Sequence, residues 1–175
     1  DEWFSPNGVG AIAIPFYLAH PRLLQLEQKI MLEAEGHDET ERMKLLRHEC
    51  GHAITHAFNL IRRPKWREVF GDPEHPYEDY YHVRPYSKSY VRHLRNWYAQ
   101  CHPEEDFAET FAVWLAPRQQ LETTISRLAS AKKIDVCRCP DAESWLQNGE
   151  RTESPVDQPC RQAETNPENA LPQTP

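Results

Sequence analysis

Arg47-His48-Glu49-Cys50-Gly51-His52, set inside an amphipathic segment that runs from about Glu41 to Ile61, decides how the rest of this chain is read. Residues four apart share one face of a helix, so His48 and His52 can bring two imidazoles to a single metal ion, with Glu49 on the flank. Zinc suits such a pair, because imidazole is a good borderline ligand and a catalytic zinc takes three protein ligands plus an open position for water. A third ligand is therefore expected elsewhere in the chain.

Composition limits what that site can serve. With 175 residues the chain is long enough for one domain with a real core. Seven acidic residues against two arginines fall in 141–175, a net of −5 out of the chain's −7, so the acidity sits at the C-terminal end. What precedes it is close to neutral, which offers no footprint for nucleic acid and no basic face for a membrane. No apolar run approaches a membrane span, and Asp1-Glu2-Trp3-Phe4 is not a leader peptide, so a soluble protein is expected. The five cysteines at 50, 101, 137, 139 and 160 form no Cys-x-x-Cys pair, which fits reduced thiols and a cytoplasmic location. Without an initiating Met, the chain reads as a piece of a longer or trimmed one.

Outward from the motif, Gly10 to Ala19 reads as a strand, and Pro15 within it places that strand at a sheet edge. An edge at Ile12 to Phe16 could pair with an extended peptide. Leucines at helical spacing predict a helix from Pro21 to Glu35, stopped by Gly36. The motif helix starts at an N-cap, Asp38 or Thr40, and runs to Pro64. Trp66 and Phe70 predict a short helix closed by Gly71. A proline-broken, tyrosine-rich connection follows, in which one or two of Tyr77, Tyr80, Tyr81, Tyr86 and Tyr90 could line a cleft. Val91 to Ala99 is expected to be a short helix. His102-Pro103-Glu104-Glu105-Asp106 then opens another, with proline near its first position and acids in its first turn. The fold class expected is α+β and mostly helical, zincin-like, with a small sheet ending in an edge strand and an active-site helix packed against a second, ligand-bearing helix. Its domain spans 1–117, extending at most to about 133. Residues 134–175 read as a disordered or aberrant acidic, proline-rich tail. A one-nucleotide shift over Lys132 to Ala142 would encode a far more regular amphipathic helix, so the chain beyond about Arg118 also reads as out of frame.

The motif helix does not supply its own third ligand, since Thr55 and Phe58 stand where a longer metal motif would have Gly and His. His56 lies a turn beyond His52, too far along a straight helix to close a tetrahedron, and is read as a supporting or core residue. Across the long connection, Glu105-Asp106-Phe107-Ala108-Glu109 offers two carboxylates on one helix face. One can bind the metal while the other hydrogen-bonds a ligand histidine and fixes its tautomer. Glu104, Asp106 and Glu122 are better explained as acids favoured only by the helix dipole. Cys50 points to the packing side, and Gly51, costly in a helix, implies close approach of another backbone.

His-Glu-x-x-His followed by Tyr98-x6-Glu105-x-x-x-Glu109 resembles the gluzincin-type zinc metallopeptidases. The run Tyr98-Ala-Gln-Cys-His-Pro-Glu-Glu-Asp-Phe-Ala-Glu109 is similar both to the anthrax lethal factor catalytic domain and to a bacterial family of zinc-binding metallopeptidases; the likeness to that family spans Asp1 to Pro117. The resemblance implies one Zn2+ held by His48, His52 and Glu105, with Glu49 as the base that activates zinc-bound water. It further implies Tyr98 as the donor to the oxyanion and Glu109 as the carboxylate behind a ligand histidine. The function so implied is zinc-dependent hydrolysis of a peptide or protein substrate. A catalytically idle zincin-fold module that binds zinc or a protein, and a hydrolase of non-peptide amides, are the alternatives; retention of both Glu49 and Tyr98 favours chemistry. No nucleic-acid or membrane partner is expected, and the oligomeric state is left open.

Overall fold

The computed structural model describes residues 2–78, 80–117 and 131–137. Five α-helices account for just under half of them: α1 (Pro21–Met31), α2 (Glu39–Phe58), α3 (Pro64–Phe70), α4 (Pro103–Trp114) and α5 (Ala131–Cys137). Short 3-10 turns cover Phe16–Ala19, Leu60–Arg62 and Arg95–Gln100.

The helix boundaries follow local chemistry. Asp38 caps α2 by accepting from the Glu41 amide at 2.9 Å, which satisfies one of the first-turn donors. The helix stops at Phe58, short of Pro64, because Asn59 adopts a left-handed conformation at φ 49° and turns the chain. Pro64 then opens α3, and Gly71 closes it at φ 110°.

Two expected elements are replaced. The strand expected over Gly10 to Ala19 reduces to one antiparallel bridge, Phe4 to Ala13, and no strand or sheet occurs among the described residues. Pro15 has no N–H for a ladder and sits at φ −53°, from which the chain enters the 3-10 turn at Phe16. The short helix expected over Val91 to Ala99 forms only in its second half, as the 3-10 turn over Arg95–Gln100. The His93 and Leu94 amides donate to the Glu109 carboxylate at 3.0 and 2.9 Å instead of to a preceding turn. Asn96 and Trp97, at φ 61° and 55°, then break the turn that follows.

α2 and α4 form the centre of the molecule. Their backbones meet at Gly51, where an added Cβ would stand 2.7 Å from the Ala108 Cα, so only glycine permits this crossing. Leu60, Trp66, Phe70, Phe107, Phe111 and Cys137 make the main core beneath, with Cys50 packed against it as a half-buried thiol. Full burial of side chains this size contributes about 1.5–3 kcal/mol each, and α2 joins this cluster through the partly buried Ile54 and Phe58. The tail expected from residue 134 overlaps α5, whose Ile134 and Cys137 are buried. Residues 118–130, Glu122 among them, and 138–175 lie outside the described residues.

Candidate metal centre

His48 and His52 project from α2 towards Glu105 in the first turn of α4. His48 Nε2 lies 3.1 Å from His52 Nε2 and 3.1 Å from Glu105 Oε2, and His52 Nε2 lies 3.2 Å from the same oxygen. Three ligand atoms each about 2.0–2.1 Å from a tetrahedral ion would be about 3.3 Å apart, so the triangle fits a zinc-sized cation with little adjustment. His48 and Glu105 are buried and His52 is half-buried.

Glu109 fixes one corner. It is fully buried, accepts from His48 Nδ1 at 3.1 Å, and holds the His93 and Leu94 amides on its other oxygen. A carboxylate partner requires the proton on Nδ1, which turns the Nε2 lone pair of the neutral ring towards the centre. Burial disfavours the imidazolium of His48, but bonds and charge from Glu105 and Glu109 outweigh it and lift its pKa to about 9. For Glu105 burial pushes upward, and the two histidines more than reverse it, holding the carboxyl well below its usual range.

His48, Glu49 and His52 line a cleft of about 360 Å³. Glu49 is 6 % exposed and its buried Oε2 has no hydrogen-bond partner, a costly arrangement unless something enters the cleft to use it. Desolvation raises its pKa, against the pull of His48 and His52. Tyr98 lines the same cleft with its ring 5.7 Å from that of His48; burial first, then Glu105, drives its hydroxyl further upward, so it stays a donor.

The walls differ from expectation. Trp3, Phe4, Ser5 and Asn7 line the cleft, not Ile12 to Phe16, because the N-terminal arm rather than an edge strand lies over α2. His56 stays out of the ligand triangle and faces Ser5 Oγ at 3.4 Å. Asp106 is not a mere dipole residue: it is buried and paired with Lys133 of α5. Tyr77, one of five tyrosines in its loop, donates to Glu105 Oε1 at 2.9 Å. Only the length and aromatic content of the loop hinted at it.

Residues 37–157 match the family described as "Putative zinc-binding metallo-peptidase", more than half of the chain. The chain belongs to this family. The matched span takes in α2, α4 and α5 and runs past Pro117. Comparison with curated proteins and with solved structures finds no match, so the narrower likeness to lethal factor stands on the quoted motif alone. For a member of this zinc-binding family, two imidazoles and one carboxylate are the donors expected of a catalytic zinc site. No helix among the described residues is long and apolar enough to cross a membrane.

Proposed function

We propose that the protein is a zinc-dependent peptidase, with His48, His52 and Glu105 as the metal ligands, Glu49 as the general base and Tyr98 as the oxyanion donor. The observation that carries this reading is the convergence of three ligand atoms beside a buried carboxylate oxygen that has no partner of its own. Zinc, when bound, supplies a Lewis acid that polarises a carbonyl oxygen and acidifies water.

The chain's own residues do the rest. Glu49 takes one proton from the attacking water as its oxygen bonds to the carbonyl carbon. The C–N bond then breaks, and Glu49 returns the proton to the departing amine nitrogen. Its raised pKa suits both directions, because a carboxylate nearer neutrality holds the proton long enough to deliver it. Tyr98 donates to the oxyanion of the tetrahedral intermediate, and a donor so placed contributes about 3 kcal/mol in other enzymes. Glu109 keeps His48 in its tautomer throughout.

A pool of diverse peptides, digested with zinc-loaded wild type beside Glu49→Gln, tests this. The variant is expected to bind Zn2+ as wild type does and to lose about 10²–10⁴-fold in turnover. Equal cleavage by both proteins would remove the assignment of Glu49, and no cleavage by either would favour an idle zinc-binding module.

A further inference from the structure

Glu105 has two oxygens, and the structure treats them differently. Oε2 faces His48 and His52, whereas Oε1 accepts the hydroxyl of Tyr77 at 2.9 Å. The Tyr77 ring lies flat on His102, with centroids 3.8 Å apart and planes inclined by 17°. His102 is itself held at both nitrogens: Nδ1 accepts from the Glu104 amide at 3.2 Å, and Nε2–H donates to the His75 carbonyl at 2.7 Å. One buried imidazole thus caps the helix that carries Glu105 and supports the ring that restrains the Glu105 side chain.

We propose that Tyr77 is the positioning residue of the third ligand, occupying Oε1 so that Glu105 meets the cation through Oε2 alone. This rests on the metal-centre reading above. A carboxylate can offer a cation one oxygen or two. Were Oε1 free to swing in, it would compete for the position that a catalytic zinc keeps open. A hydrogen bond to the outer oxygen removes that option and fixes the side chain before metal arrives. Tyr77 reaches Glu105 from the long loop between α3 and α4, whose His93 and Leu94 amides hold Glu109 in the same way. Tyr77 as a whole residue is 55 % exposed and does not belong to the buried core.

Zn2+ affinity by chelator competition and the visible absorption of the Co2+-loaded protein, which reports coordination number, test this in the full chain. Tyr77→Phe keeps the stack on His102 and is expected to fold normally by circular dichroism. It should bind Zn2+ about tenfold more weakly, as loss of a partner behind a metal ligand does elsewhere, and its Co2+ spectrum should change. His102→Asn retains a capping side chain but removes the platform, and should shift the same two readouts in the same direction. Wild-type Zn2+ affinity and an unchanged Co2+ spectrum in Tyr77→Phe would overturn the proposal. A wild type that binds neither ion would instead overturn the metal centre itself.

Discussion

At the residue scale, the proton on His48 would link the proposed metal uptake to pH. Its pKa of about 9 in the metal-free protein, set by Glu105 and Glu109 against burial, means that this ring is charged at neutrality. A zinc ligand must be neutral, so binding expels a proton, and apparent Zn2+ affinity should rise about tenfold per pH unit from pH 7 towards 9 and then level off. Folding runs the other way. A raised histidine pKa stabilises the metal-free fold fully below the unfolded value of 6.5 and loses that contribution as pH rises through about 9. Calorimetric titration at several pH values, with thermal melts of the metal-free protein alongside, would show the two opposed slopes. Zinc affinity independent of pH over that range would mean that the His48 proton is not shared as described.

At the element scale, the close crossing of α2 and α4 is what brings the two halves of the centre together. Gly51 directly precedes His52 and Ala108 lies three residues after Glu105, so the tightest point of the crossing lies beside the proposed ligands. Gly51→Ala would gain helix propensity worth about 1 kcal/mol. The methyl group, however, would meet backbone at 2.7 Å, where nothing flexible can yield. Overpacking of this kind costs about 1–3 kcal/mol, so the steric effect wins and the helices are pushed apart. Gly51→Ala should therefore lower the melting temperature and weaken Zn2+ binding together. A variant more stable than wild type would contradict this packing.

Across the whole molecule, α5 reaches the site indirectly. Lys133 donates to Asp106, next to Glu105, and to the Ser89 carbonyl, with its ammonium 4.5 Å over the Tyr90 ring. Asp106 and the 89–94 segment are the neighbours of the two carboxylates that serve the centre, so one lysine ties both to the C-terminal helix. Burial pushes the Asp106 carboxyl up and Lys133 opposes it. Lys133→Met would remove the cation from a carboxyl already raised to about 7, so Asp106 would fold with a proton on it, at an added cost of about 1.4 kcal/mol for each pH unit above 7. The expected result is a marked drop in the denaturant midpoint at pH 8, smaller at pH 5 where Asp106 can take up a proton. An unchanged midpoint at pH 8 would remove α5 from the support of the site.

Much of the centre was legible in linear order. Spacing of four put His48 and His52 on one helix face, a cap at Asp38 or Thr40 and Pro103 with the acids after it marked where α2 and α4 begin, and Gly51 signalled a close backbone by being a poor helix former. These are short-range effects, each decided within a turn or two of chain. What the linear order could not carry were pairings between distant segments. Asp106 looked like an ordinary first-turn acid because its partner lies 27 residues on. Val91 to Ala99 looked helical because nothing local shows that the amides at 93 and 94 serve Glu109. Gly10 to Ala19 had strand composition but met no partner long enough to form a ladder. Tyr77 was one tyrosine among five until the loop folded it onto His102. The sequence by itself determined which residues could bind a metal and on which helices they stand. Tertiary structure decided which carboxylate oxygen faces the histidines and what holds it there, because those contacts join segments that share no local signal.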